Sequence, residues 1–502
     1  MWNMLKRSPD PERPWRDNPL YGGMSDEAAE RSWRAREKQR EQEEALKEIP
    51  ATQKLAGGTT ACAVEAVTED SAALKFRDRY DGQLLFDHDV NAWFVWDGCC
   101  WRSDKTGLAF EHARQLIREL TENHSGRSKI LANRTGFASG VEKFARSDRA
   151  FAVIASEWDH DLFLLGTPEG TVNLCDGTLR PASPESRITK LTAVSPAATA
   201  DCPVWLNFMN EATGSDEQLI RFLQQICGYA LTGSVVEHGM AFVYGSGGNG
   251  KSVFINTVSG IMCDYASTAA MTTFTASGSD AHPTELARLK GARLVTASET
   301  EKGHAWAEAK IKALTGGDRI AARFMKQDFF EFIPQFKLIV VGNHKPTLTN
   351  VDDAMKRRIN IIPFIRKPVN PDRQLEQKLM AEWPMILRWM IDGCLDWQKN
   401  GLVRPDSVIA STQAYFEDQD LLGQWLNDNC DAEPDNPHKS DTVAALFAAW
   451  SAYATAAGET PGSKKAFNEA MQSRGFHPAR GGKGVRLFRG VRLIIPAGHY
   501  AD

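Results

Sequence analysis

The chain has 502 residues, 42% apolar and 25% charged, with a formal net charge of −5. That is globular composition, too long for a single core, and about three domains are expected. A net acidic chain has no global cationic field, so any nucleic-acid contact must come from a local basic element.

The nine cysteines are scattered without a Cys-x-x-Cys pair, which argues against a zinc ribbon and for a reduced chain. No apolar run reaches membrane-spanning length, and the start MWNMLKRSPDPERPWRD is not a signal peptide. A soluble, cytoplasmic protein with no membrane partner is expected.

In chain order, residues 1–25 are rich in Pro, Arg and Asp and are expected to be disordered. Residues 26–48 are helix formers of mixed charge with almost no apolar stripe, which predicts a solvated helix rather than a coiled coil. Residues 49–72 read as a linker. A folded region then begins near Leu74. Around Trp93, Trp96 and Trp101 apolar and polar residues alternate, as strands and a turn require. Residues 108–122 and 127–156 predict amphipathic helices, and 167–184 is turn-rich and hairpin-like. Residues 203–232 have helical spacing and end at Gly233.

The next stretch orders the rest. In AFVYGSGGNGKSVFI (241–255) an apolar run to Tyr244 predicts a buried strand, and helical spacing resumes at Val253. Between them lies Gly-x-x-x-x-Gly-Lys-Ser: Gly245, Ser246, Gly247, Gly248, Asn249, Gly250, Lys251, Ser252. Strand, glycine loop and helix form the context of a phosphate-binding loop. Glycines let backbone N–H groups face phosphate oxygens, and the helix N-terminus adds partial positive charge. Lys251 would neutralise the β- and γ-phosphates of ATP, and the Ser252 hydroxyl would ligate Mg²⁺.

Downstream, Ala292–Ala297 predicts a second strand ending in Ser298-Glu299-Thr300-Glu301. A carboxylate at that position can hold Mg²⁺ through water or polarise the attacking water. Lys312 and the run Leu314–Asp318 predict a tight turn after a helix, and Arg323–Phe329 predicts a hairpin with a basic, aromatic tip. A third buried strand, Lys337–Val341, ends in Gly342-Asn343, where an amide can orient water or sense the γ-phosphate. The segment Asp352–Lys356 reads as polar and exposed, and it places Arg357 and Arg358 before another strand. Such a pair is either a solvated surface feature or an arginine finger. Residues 371–430 read as helical, and 441–495 read as helix, helix, then a glycine hairpin made basic by Arg480, Lys483, Arg486, Arg489 and Arg492. That order is the order of a winged helix, and phosphate contact is one use of such a wing.

These motifs together resemble the superfamily 3 helicases, most closely the helicase half of phage, plasmid and poxvirus primase-helicases. The resemblance covers about 75–502 and rests on GYALTG, YGSGGNGKS, LARLKGARLVTASETE, KALTGGDRIAAR, FKLIVVGNHKP and DDAMKRRINIIPF in that order. It implies an α/β, AAA+-like P-loop ATPase core, a hexameric ring, single-stranded or forked DNA in the central pore, and ATP-driven unwinding. The boundaries expected are a tail and linker at 1–72, an α+β and helical collar at 73–235, the ATPase domain at 236–370, a helical segment at 371–435 and a winged-helix domain at 436–502.

By position, the resemblance makes Gly245 to Val253 the nucleotide loop, with Lys251 and Ser252 its Walker A pair. Glu299 becomes the Walker B acid, Asn343 the sensor, and Arg357 or Arg358 the finger. Lys326, helped by Arg323, becomes the DNA grip of a pore hairpin. Many relatives end Walker B in adjacent acids, and the Glu299-x-Glu301 spacing here leaves open which is the base. Many also fuse a primase upstream. Residues 1–72 are too few for one and carry no paired metal-binding carboxylates, so no primer synthesis by this chain is expected, and a separate primase or other replication proteins become its partners. The rival readings are an ATPase motor for packaging or defence, and an initiation scaffold that uses ATP only to assemble.

Overall fold

The computed structural model describes residues 67–276, 283–298, 305–325, 328–348, 352–368 and 370–494. The readings of a disordered tail over 1–25 and a solvated helix over 26–48 fall outside them, as does the linker over 49–66; the last residues of that linker are corrected, since a capped helix already begins at Glu69.

The first region is α+β. Helix Glu69–Tyr80 carries a capping box at Thr68. Strands β1 (Leu84–Asp87), β2 (Ala92–Trp96), β3 (Trp101–Ser103) and β4 (Ala152–Val153) form one sheet in the order β3-β2-β1-β4. Helices Leu108–Leu120, Gly126–Ala132 and Thr135–Ser147 accompany it, and Phe76, Trp93, Val141 and Phe151 share its core. The helical reading of 127–156 therefore stops short: residues after Ser147 leave the helix, and Val153 pairs in parallel with Asp87. Buried Glu142 explains one polar core position, since its carboxylate accepts from Trp93 Nε1 and Arg146, both at 2.8 Å.

Strands β5 (Leu164–Thr167), β6 (Gly170–Asn173) and β7 (Thr178–Arg180) make an antiparallel meander where a hairpin was predicted. The helical spacing read over 203–232 resolves into two helices, Pro203–Thr213 and Glu217–Leu231, broken where Gly214 takes φ +72°. The second of these crosses helix Trp383–Asn400 with almost no gap. A Cβ on Gly228 would stand 2.1 Å from the Cys394 nitrogen, and one on Gly393 would stand 2.2 Å from the Gln224 carbonyl oxygen. Alongside that crossing Arg221 makes a two-pronged pair with Asp396 at 2.8 Å, and Gln225 and Asn400 also donate to that carboxylate. The Arg221 guanidinium leads in holding Asp396 down at about 2. A carboxylate held below its unfolded value stabilises the fold above that unfolded value and loses the contribution as pH falls through the folded one. Asp396→Asn should therefore lower the melting temperature by a few degrees at neutral pH, and the gap to wild type should close between about pH 4 and about pH 2.

The centre is a five-stranded, all-parallel sheet. It holds β8 (Met240–Tyr244), β9 (Ala266–Thr268), β10 (Leu294–Ser298), then, past the antiparallel pair β11 (Ile320–Ala322) and β12 (Phe330–Phe332), β13 (Lys337–Gly342) and β14 (Ile359–Pro363). Its order is β14-β8-β13-β10-β9. β8, β10, β13 and β14 read as apolar runs because both faces of a parallel sheet are covered. One face shares a core with helices Lys251–Met262 and Trp383–Asn400 through Val243, Phe254 and Ile391, and the other packs Phe242, Val340 and Trp306.

Two buried cations fasten the Glu217–Leu231 helix to this sheet. Arg293 donates to the Leu231 and Leu164 carbonyls at 2.7 and 2.9 Å, and Lys337 donates to those of Thr232 and Ser234. They answer carbonyls that a helix C-terminus leaves open, where its dipole is negative. Burial pushes the Lys337 ammonium well below its usual value.

Beyond the sheet, the helices predicted over 371–430 are Leu375–Ala381, Trp383–Asn400, Asp406–Gln419 and Leu421–Asn429. The last of them shares a core with the C-terminal elements: β15 (Cys430–Ala432), β16 (Ser440–Thr442), helices Val443–Ala456 and Lys464–Ser473, and β17 (His477–Arg480), β18 (Arg486–Arg489) and β19 (Val491–Leu493). Helix, helix and hairpin stand there in the predicted order.

Among the described residues no helix is long and apolar enough to cross a membrane, no cluster of metal-ligating side chains occurs, and every described cysteine is a free thiol.

Candidate nucleotide site

The glycine loop leaves the end of β8 and enters helix Lys251–Met262, as the motif required. Gly247, Gly248 and Gly250 take φ of +88°, +66° and +83°, a backbone that other residues adopt only with strain. At Gly250 space adds a second constraint, because a Cβ would lie 2.7 Å from the Phe208 ring. No side chain caps the helix that starts there. The N–H groups of its first turn and the positive end of its dipole therefore face the loop.

Lys251 is only 7% exposed, and its ammonium is tied down in the loop. It donates to the Gly245 carbonyl at 2.7 Å, to Asn249 Oδ1 at 2.8 Å and to Asn343 Oδ1 at 3.1 Å. Burial lowers its pKa. Asn343 follows β13, which pairs with β8 residue for residue, with Gly342 opposite Tyr244. Two motifs far apart in sequence thus meet at the exit ends of adjacent strands. Asn249 is buried, and its amide donates to the Phe364 carbonyl just past β14, fixing the loop to a third strand end. Ser246 and Ser252 are exposed, and Ser252 and Val253 line the cleft above.

That cleft measures about 910 Å³. One wall is helix Pro203–Thr213, whose Pro203, Val204 and Phe208 face in, and the other is the segment after β14 with Arg366, Pro368 and Leu375. The first wall is held by Glu382, a buried carboxylate that accepts from the backbone N–H groups of Val204 and Trp205 at 3.0 and 2.9 Å. Sequence reasoning missed Phe208, Arg366 and Glu382. Their only local signal is a helix start at Pro203 and a charge after an apolar strand, and neither marks a site without the fold.

Other predicted residues are not in the cleft. Glu299, Glu301 and Lys326 lie outside the described residues. Arg357 and Arg358 end a short helix, Asp353–Arg358, where a polar exposed segment was expected; Met355 in it is fully buried. That helix runs into the entry end of β14, where Ile359 pairs with Met240. The glycine loop leaves the opposite end of β8, so the arginines and the loop of one chain stand roughly 15 Å apart along the strands. Arg357 is exposed, whereas Arg358 is half-buried and donates to the Ala354 carbonyl at 3.0 Å. The predicted turn at Lys312–Asp318 is also displaced: the helix continues to Gly316 and ends on Gly317 at φ +79°, because Leu314 is buried and keeps the periodicity going.

Past that helix, β11 and β12 form the predicted hairpin. At its tip Arg323 lies 4.9 Å over the Phe329 ring, and Phe324, Met325 and Phe329 are exposed, Met325 by 72%.

Residues 73–214 match the family described as D5 N terminal like, and 243–358 match a family of unknown function, DUF5906. Three viral proteins, each named as a candidate helicase, are similar in sequence. L207/L206 of Acanthamoeba polyphaga mimivirus is 26% identical over 64% of this chain and 36% of its own length. Protein 022R of Frog virus 3 is 26% identical over 47% of this chain and 26% of its own, and 121R of Invertebrate iridescent virus 3 is 31% identical over 34% and 20%. The chain thus spans about a third or less of the curated relatives it matches. The solved apo structure of the NrS-1 C-terminal region superposes with a TM-score of 0.47 at 10% identity, over 85% of this chain and all of that one. With a D5-type N-terminal domain, helicase-named viral relatives and the motifs in their order, the chain belongs to the superfamily 3 helicase family, in its phage and viral primase-helicase branch.

Proposed function

We propose that this chain is the ATP-hydrolysing motor of a ring-shaped replicative DNA helicase. The observation that carries the reading is the meeting of Lys251 and Asn343 beside the uncapped start of helix Lys251–Met262, at the exit ends of two parallel strands. A buried cation, free N–H groups and a cleft within the volume range of small-ligand sites suit a nucleoside triphosphate. Lys251 would bind the β- and γ-phosphates, Ser252 would ligate Mg²⁺, and Glu299, with Glu301 as the alternative, would hold that metal's water or act as base. Arg366 offers a second phosphate contact from the chain's own cleft wall.

The same reading makes 236–370 an AAA+-like core, 73–235 a collar, 371–435 a helical segment and 436–502 a winged helix. Six copies would form the ring, with the Arg323–Phe329 hairpin in the pore. The exposed basic and aromatic tip of that hairpin supports a grip on DNA.

Strand displacement on forked DNA with ATP is the test. Wild type should unwind and show DNA-stimulated ATPase. Lys326→Ala should keep DNA-independent ATPase and lose unwinding at least tenfold, roughly as expected when a ring of phosphate contacts is removed. Normal unwinding by that variant, with unchanged salt dependence, refutes the pore role. ATP-dependent assembly on DNA without any unwinding by wild type would favour the scaffold reading, in which the basic C-terminal module is the main contact.

A further inference from the structure

The short loop between helices Trp383–Asn400 and Asp406–Gln419 carries Arg404, a cation outside the nucleotide cleft. The loop is held along its length. Gly401 ends the first helix at φ +69°, Leu402 packs against the central core, and Pro405 is buried. The Val403 N–H donates to Gln225 Oε1 at 2.9 Å, and Gln225 is itself fully buried and donates to Asp396 at 2.7 Å. At the start of the second helix the Ser407 hydroxyl donates at 2.9 Å to Asp216, the residue that caps helix Glu217–Leu231. Further along, Thr412 Oγ1 accepts from the Ile361 N–H of β14 at 3.0 Å. Arg404 thus extends from a backbone that is tied to both the helical layer and the sheet.

From there Arg404 donates to the Arg357 carbonyl oxygen at 2.8 Å. Carbonyls at a helix C-terminus are open and the dipole there is negative, so a donor cation fits the end of helix Asp353–Arg358. The contact has an electrostatic cost all the same. The last turn of that helix already holds Lys356, Arg357 and Arg358. Neither arginine forms an ion pair with a described residue, and Lys356 reaches Asp353 only at 3.8 Å. Asp352, at the other end of the helix, is engaged by Lys312 and by the Met355 N–H. Glu237 attracts the Arg404 charge without forming an ion pair with it. Lys356, Arg357, Arg358 and Arg404 thus gather at one helix end, and an anion arriving from outside the chain relieves their repulsion.

We propose that Arg404 is a positioning residue for the arginine pair. By holding the Arg357 carbonyl it fixes the end of helix Asp353–Arg358, and with it the reach of the Arg357 side chain into a neighbouring subunit's nucleotide site. This role rests on the reading of the pair as a finger in trans. The Arg357 side chain is exposed, and its one hydrogen bond, to the Asp353 carbonyl four residues back, is long at 3.3 Å. Its direction is therefore set by the backbone that carries it, and Arg404 grips that backbone at Arg357 itself. A misplacement of about 1 Å at a reacting site can cost about 10²-fold in rate.

The test uses the full chain with Mg-ATP. Arg404→Met keeps the apolar stem and removes the donor, and Arg404→Lys puts a donor back. Arg404→Met should lower kcat at least about tenfold, within the roughly 10²-fold cost of such a misplacement, while KM and the melting temperature stay near wild type. Arg404→Lys should recover most of kcat. In an Arg357→Ala background Arg404→Met should cost little more, because the side chain it positions has gone. Subunit mixing supplies a readout that a merely structural role would not move. Arg404→Met mixed with Lys251→Ala should exceed the two separate activities, since some interfaces then join an intact loop to an intact arginine side. Mixed with Arg357→Ala/Arg358→Ala it should show no gain. The reverse pattern overturns the proposal, because Arg404 would then serve its own subunit's nucleotide. Equal losses in Arg404→Met and Arg404→Lys overturn it, and so does a lower melting temperature with kcat per folded chain unchanged. Wild-type kcat in Arg404→Met beside an inactive Arg357→Ala/Arg358→Ala variant overturns the positioning role and leaves the finger standing. A fully active Arg357→Ala/Arg358→Ala variant removes the finger, and the positioning role with it.

Discussion

Lys251→Ala should abolish ATP hydrolysis, with turnover down by at least about a hundredfold, the scale seen when a positioned electrostatic donor is lost. The argument is geometric. The Lys251 ammonium is buried and held by three oxygens, from Gly245, Asn249 and Asn343. An ion kept out of water by burial and answered only by neutral acceptors gains more from an incoming phosphate than a solvated lysine would. No other cation is seated in the loop itself; Arg366 and Lys378 line the far wall of the cleft, and Lys378 is paired to Asp372 at 2.6 Å. Truncation also strands the buried carbonyl of Gly245 and the amide oxygen of Asn249, at a cost of about 1–3 kcal/mol. The measurements are steady-state phosphate release with Mg-ATP and a melting curve alongside. A folded variant that retains near wild-type turnover removes the nucleotide assignment, and the helicase reading with it. Asn343→Ala should be milder in stability, because Asn343 is exposed, while still slowing hydrolysis if the amide orients water or senses the γ-phosphate.

Much of the candidate nucleotide site was legible because it is local. The loop from Gly245 to Ser252 carries its geometry in its own residues: glycine where φ is positive, and an apolar strand and a helix on either side. The strands read well for the same reason, since parallel strands buried on both faces are short apolar runs. What failed was set by tertiary contact. Nothing local in Met355 says that it will be fully buried and pull Asp353–Arg358 into a helix. Val153 pairs in parallel with Asp87, a partner distant in sequence. Glu382 caps a helix that begins at Pro203, and Phe208 presses on Gly250, so both walls of the cleft depend on contacts that no spacing rule encodes. The register that sets Arg480 against Arg486 was likewise invisible, although the basic wing itself was plain in the composition.

The position of the arginine pair leads to the second large effect. Arg357 and Arg358 stand at the entry end of β14, and the loop with Lys251 stands at the exit end of its neighbour β8. Within one chain that separation, roughly 15 Å along the strands, leaves the guanidinium groups out of reach of a nucleotide on Lys251. If either arginine completes an ATP site, the site belongs to a neighbouring subunit; each donates to the carbonyl four residues back, Arg357 to Asp353 and Arg358 to Ala354, and of the two Arg357 is better placed, being exposed while Arg358 is half-buried. An arginine finger in trans is worth about 10³–10⁵ in rate where it operates. Arg357→Ala/Arg358→Ala chains should therefore bind ATP but hydrolyse it at least about a thousandfold more slowly. Lys251→Ala chains should be inactive for the other reason. Mixing the two inactive proteins should restore part of the ATPase, because some interfaces in a mixed ring join an intact loop to an intact arginine. Arg357→Ala alone should reproduce most of the double variant's loss. Full activity of the double variant removes the finger outright. If the double variant is inactive, mixing restores nothing and sizing still shows mixed rings, the arginines act within their own subunit, against the strand geometry. If sizing shows only monomers, the ring itself is refuted, and the cleft would then have to be completed by Arg366 from its own chain.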